Sequence, residues 1–133
     1  MRAAMARTLL LLVALLTIPA CTNEVAPGTV EMIGGRRFDP STITVKAGEP
    51  VTWVNVTDES HTVTAYDDRI PDEADYFASG GFESQEAATE ELTPGLLQEG
   101  DEFEVTFDAP GTYEYFCNPH EGDGMRGTVV VEP

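Results

Sequence analysis

Basic residues are scarce in this chain. Seven Lys and Arg stand against 24 Asp and Glu in 133 residues, a formal charge of −17, and Lys46 is the single lysine. With no basic stripe to displace counterions from phosphates, nucleic acid is excluded as a partner. Histidine is scarcer still, with only His61 and His120, and the cysteines are Cys21 and Cys117. With Cys21 set aside, Cys117, His61 and His120 are one short of the four Cys or His ligands of a structural zinc site, and no further His is left for a second metal cluster. No internal repeat or low-complexity tract occurs. The longest apolar run, Thr8 to Ile18, is shorter than the roughly 20 residues a helix needs to cross a bilayer. What is present is 41% apolar composition, too much for a disordered acidic tail, in a length that suits one domain.

The first twenty residues read as a secretory signal. Met1 to Arg7 carries two arginines and no acid, the apolar run follows, and Pro19-Ala20 precedes Cys21. Removing residues 1–20 leaves 5 basic against 24 acidic residues, a net charge of −19. Ile18-Pro19-Ala20-Cys21 resembles the lipobox of bacterial and archaeal lipoproteins, with Pro19 a departure at the middle position. The resemblance implies a diacylglycerol on the Cys21 sulfur, with residues 21–28 as a polar tether on the outer face of the membrane. The competing reading pairs Cys21 with Cys117 in a disulfide.

From Thr29 onward, period-two alternation broken by turn residues predicts strands over 29–33, 42–46, 51–56, 61–65, 102–107, 112–117 and 127–132. Phe103, Val105 and Phe107 alternate with Glu102, Glu104, Thr106 and Asp108, so one face is core and the other acidic. Ala47-Gly48-Glu49-Pro50 and Ala109-Pro110-Gly111 are turn signals between runs. Seven short strands in about 100 residues predict an all-β sandwich with Trp53 and other aromatics between the sheets. Residues 66–100 are too long for a hairpin loop. Within them, Phe82 to Leu92 predicts one short helix, opened after Gly80-Gly81 and stopped by Pro94-Gly95.

The chemistry concentrates in Cys117-Asn118-Pro119-His120-Glu121-Gly122-Asp123-Gly124-Met125, a C-x2-H-x4-M loop directly after an apolar strand. A lone Cys at a strand end is ordinarily a small buried hydrophobe, His61 could be a turn residue and Met125 could be core. Together, a thiolate, an imidazole and a thioether on one loop are a donor set suited to copper. Cys21 apart, the chain holds the one Cys and two His of a trigonal site, with Met125 available as a weak axial ligand.

At these residues the chain resembles the cupredoxin family of blue-copper electron carriers, and most closely its plastocyanin-like members called halocyanins. The resemblance runs from Thr29 to the C-terminus through Gly35-Arg36-Arg37-Phe38, Pro40-Ser41-Thr42-Ile43, Val51-Thr52-Trp53, Tyr76-Phe77-Ala78-Ser79-Gly80-Gly81-Phe82 and the Cys117 loop. It implies a Greek-key sandwich of seven to eight strands holding one type 1 copper on His61, Cys117, His120 and Met125. It also implies single-electron transfer between membrane-associated donor and acceptor proteins, by a monomer that is not an enzyme. In such proteins the second histidine presents its edge to solvent in an apolar patch, the position of His120 here. Strand alternation sets Phe116 opposite Tyr115 and Cys117, either as an exposed aromatic docking face or as ordinary packing beneath the long connection. An extracytoplasmic copper store or delivery protein would use the same donors, and a metal-free adhesive sandwich would use none. The acids are spread over almost every segment, which favours solvation in very high salt over a steering patch, because the Debye length falls to about 3 Å in molar salt.

Overall fold

A computed structural model describes residues 26–133; the signal segment and Cys21 lie outside the described residues. Eight strands are formed among the described residues: β1 (Thr29–Ile33), β2 (Arg37–Asp39), β3 (Thr42–Lys46), β4 (Pro50–Asn55), β5 (Thr64–Ala65), β6 (Glu102–Thr106), β7 (Gly111–Phe116) and β8 (Arg126–Glu132). They make two four-stranded sheets, ordered β2-β1-β4-β6 and β3-β8-β7-β5. The β1–β4 and β3–β8 pairs are parallel and the other pairs antiparallel. This is the all-β sandwich that the alternation predicts, with one short helix, α1 (Gln85–Glu90), in the long connection.

The alternating residues supply the core. Val30, Met32, Val51 and Trp53 of one sheet face Tyr113, Tyr115, Val129 and Val131 of the other, all buried. A fully buried side chain of this size contributes about 1.5–3 kcal/mol relative to exposure, and a one-residue slip would turn each of them outward. Trp53 sits between the sheets, edge-on to Tyr115 at 5.2 Å and stacked on Phe77 at 6.0 Å.

The structure departs from the sequence expectations in three places. The strand expected over 61–65 shrinks to Thr64–Ala65, because its first residues send their backbone groups elsewhere. The Thr62 amide donates to Cys117 Sγ, the Val63 amide donates to Ser79 Oγ and the Val63 carbonyl accepts from the Ser79 amide. His61 keeps only an isolated bridge to Leu97. The helix expected over 82–92 spans Gln85–Glu90, since Ser84 caps it by accepting from the Ala87 amide at 3.2 Å and Glu91 leaves helical geometry. β2 was not expected, three residues being too few to display a period, yet its Phe38 enters the core.

β7 and β8 place the Cys117 loop at one end of the sandwich. The register sets Tyr115 opposite Gly127 and Phe116 opposite Arg126, so the strands part at Cys117 and rejoin after Met125. Between them runs a 3-10 turn over Asn118–Asp123, closed by Gly124 in the left-handed region at φ 85°. A glycine adopts that conformation without the steric penalty a side chain would bring.

Candidate metal centre

Three sequence-predicted site residues meet at this end. His61 Nδ1 lies 3.7 Å from Cys117 Sγ and 3.1 Å from His120 Nδ1, and His120 Nδ1 lies 3.4 Å from Cys117 Sγ. All three residues are buried, with 9% of His120 still reaching the surface. His61 arrives from the β4–β5 connection; the other two come from the loop after β7. Met125, also predicted, is completely buried in the same core cluster as Cys117. Among the described residues Cys117 is a free cysteine; the competing pairing with Cys21 involves a residue outside them.

Backbone bonds close the loop on itself. The Cys117 amide donates to the Met125 carbonyl, the His120 amide to the Cys117 carbonyl and the Met125 amide to the His120 carbonyl, at 3.0, 3.1 and 3.2 Å. Thr62 then fastens the loop to the His61 segment. Its amide donates to Cys117 Sγ at 3.4 Å and its hydroxyl accepts from the Asn118 amide at 2.8 Å. Asn118 Nδ2 donates to the Ala88 carbonyl at 2.8 Å, so α1 braces the loop from outside. Pro119 has no N–H to offer the sulfur.

Burial favours the uncharged form of both groups, which suits the imidazole and opposes the thiolate. Burial is the main force pushing the Cys117 thiol up, with the Thr62 amide pulling the other way. Burial likewise pushes His61 down, which favours the neutral imidazole that a metal requires. Two imidazole nitrogens and a sulfur converging in a buried pocket, every donor atom within 4.8 Å of the others, form a compact soft site. The donor set fits copper, and a fourth Cys or His that would favour structural zinc is absent from the sequence beyond Cys21.

A model of copper-binding proteins of the plastocyanin/azurin family matches residues 28–132. The chain belongs to that family. It is 39% identical over 99 residues to a plastocyanin of Scenedesmus fuscus, covering 74% of this chain and 90% of that protein. A solved mutant plastocyanin of a fern superposes with a TM-score of 0.56 at 29% identity, over 78% of this chain and 99% of that one. A copper-containing nitrite reductase of Thermus scotoductus superposes with a TM-score of 0.60 at 24% identity, over 89% of this chain but 25% of that one, a likeness of fold alone. The fold is thus cupredoxin-like, the cofactor is one type 1 copper, and the family is one of plastocyanin-like blue-copper electron carriers and not of enzymes.

The structure decides between the two readings of Phe116. Phe116 is not an exposed docking aromatic. It is 1% exposed and stacks at 4.4 Å on Tyr66, whose hydroxyl donates to Glu121 at 2.6 Å and accepts from Arg126 Nε at 2.9 Å. β5, paired with β7, carries Tyr66 over that face, so the packing alternative holds. A charged cluster flanks the site. Arg36, between the two ligand-bearing segments, donates to Glu59 at 2.9 Å and to Asp123 at 2.7 Å. All three side chains are 42–50% exposed, so this margin of the site is charged.

Sequence reasoning missed Arg36, Asn55, Thr57 and Thr62. None of them has metal-ligating chemistry or a periodic position. Thr62 adjoins His61 and Asn118 adjoins Cys117, and that adjacency was the one available signal.

Proposed function

We propose that this protein is a membrane-tethered, halocyanin-like electron carrier of high-salt surroundings, with copper held by His61, Cys117 and His120 and by Met125 as the axial ligand. The convergence of His61, Cys117 and His120 on one buried point carries this reading. When bound, copper would supply a one-electron Cu(I)/Cu(II) couple. The chain's part is to keep the donors in place as the charge changes. Thr62 anchors the sulfur, the loop's backbone bonds seat Met125, and the sandwich walls exclude water. His120, with 9% of its surface exposed, is the path by which an electron enters or leaves.

The donor and acceptor are membrane-associated redox proteins, and the chain works as a monomer outside the cytoplasmic membrane. Residues 1–20 act as the export signal, 21–28 as the lipidated tether through Cys21 and 29–133 as the copper domain. The spread of acids supports the high-salt reading. Burial of the donors weighs against a copper store or delivery protein, which needs an open, exchangeable site.

Absorption and EPR spectra of the Cu(II) form test the assignment. An intense blue thiolate-to-copper band with small copper hyperfine splitting is expected, lost in Cys117→Ser and kept in Cys21→Ser. A colourless protein with ordinary hyperfine splitting would sink it. Mass spectrometry of the exported chain tests the tether, since an unmodified Cys21 refutes lipidation.

A further inference from the structure

The second ring nitrogen of His61 has a partner that the copper reading leaves unused. His61 Nε2 lies 3.0 Å from the Thr57 hydroxyl. Which atom donates follows from the groups around Thr57. Asn55 Nδ2 donates to two carbonyls, those of Glu59 at 2.7 Å and Leu97 at 2.9 Å, while Asn55 Oδ1 accepts from the Thr57 amide at 2.9 Å. These partners fix which end of the Asn55 amide is oxygen. The other atoms within reach of the Thr57 hydroxyl are then both acceptors, Asn55 Oδ1 at 2.9 Å and the Glu59 carbonyl at 3.3 Å. The hydroxyl has one proton, and placed on its 2.9 Å bond to Asn55 Oδ1 it leaves a lone pair facing His61. In that arrangement His61 Nε2 is the donor and carries the proton.

A neutral imidazole protonated at Nε2 has its lone pair at Nδ1, the atom that faces Cys117 Sγ and His120 Nδ1. We propose that Thr57 is a positioning residue for the copper centre: through the Asn55–Thr57–His61 chain it selects the His61 tautomer and ring orientation in which Nδ1 is the metal donor. Asn55 is completely buried at the end of β4, so the chain of contacts is anchored in the sandwich. A carboxylate could perform the same task, as it does for many metal-bound histidines, but it would bring a negative charge beside a site whose charge changes by one on each turnover. A hydroxyl backed by an amide sets the tautomer without that charge.

The inference rests on the reading of His61 as a copper ligand, and the test keeps the two apart. Full-length wild type, Thr57→Val and Thr57→Ser are compared in the diamagnetic Cu(I) form. Wild type should show a slowly exchanging His61 Nε2 proton by ¹⁵N-edited NMR. Thr57→Val should exchange that proton at least tenfold faster and lose about 10- to 100-fold in Cu(I) affinity against a competing chelator, with Thr57→Ser restoring both. A Thr57→Val protein that keeps the protected proton and binds copper within threefold of wild type overturns the proposal. So does a wild-type spectrum in which Nε2 is the copper-bound atom, a result that needs no variant to fold. If the wild-type chain takes up no copper, the ligand reading fails, and the tautomer is judged on the copper-free chain by the same ring proton.

Discussion

Gly127→Ala tests the packing that carries the Cys117 loop. Gly127 lies opposite Tyr115 in the β7–β8 register, and a methyl group added there would drive into the Tyr115 ring at Cζ and Oη. The Gly127 backbone lies outside the left-handed region, so the penalty is steric and not conformational. The ring has little room to retreat, because Phe38 stands 4.8 Å away edge-on, Trp53 5.2 Å and Phe77 6.4 Å, and Tyr115 is fully buried. Overpacking of this kind costs about 1–3 kcal/mol, reduced by up to about 1 kcal/mol because alanine gives up less chain entropy than glycine. The expected net loss is about 1–2 kcal/mol, or roughly 4–10 °C in Tm for a domain of this size. Urea unfolding of the copper-free protein, repeated with copper loaded, measures it. Gly122→Ala is the control, since its added methyl meets nothing within 4 Å and its φ is ordinary. If Gly127→Ala unfolds within about 0.5 kcal/mol of wild type at an unchanged m-value, the close approach of Tyr115 to the β8 backbone is refuted.

Thr62→Val should cost about 1–3 kcal/mol by leaving the Asn118 amide without its 2.8 Å acceptor, measured by the same unfolding assay; Thr62→Ser should recover most of it. Arg36→Gln should speed copper loss to a chelator in dilute buffer, with the gap to wild type narrowing in molar salt; equal rates at low salt would show that Arg36 does not hold the two segments together. The Arg36 guanidinium holds the Glu59 carboxyl below its usual range. Its folded value being the lower, the pair's contribution is present above the ordinary carboxylate range and lost as pH falls through the depressed value. Glu59→Gln should therefore flatten the acid limb of the stability curve, and an unchanged limb contradicts the pairing. Finally, stability of the wild-type chain should rise from dilute buffer to molar salt if its acids are a high-salt adaptation; full stability in dilute buffer counts against that.

Most of the fold was legible because alternation is a local signal. Val30, Met32, Val51, Trp53, Tyr113 and Tyr115 all stand where period two sets them, and the bounds of the expected strands differ by at most a residue except at 61–63, where backbone groups are diverted. The segment from His61 to Val63 reads as a strand, but its hydrogen bonds go to Leu97, Cys117 and Ser79, partners distant in the chain. Phe116 shows the same limit. Alternation gave its side of the strand correctly, but not that Tyr66 would cover it.

The sequence by itself determined the donors. With two histidines and one cysteine beyond Cys21, and a thioether five residues past His120, composition and spacing left few ways to bind a soft metal. Only the tertiary structure decided how those donors are held. The Thr57 hydroxyl, the Thr62 amide and the Arg36 guanidinium act on residues separated from them in chain or in chemistry, through contacts that no periodicity encodes. Ligand identity is a property of side-chain chemistry and is written in the residues; tautomer, orientation and local charge depend on which atoms the folded chain brings within 3 or 4 Å of each other.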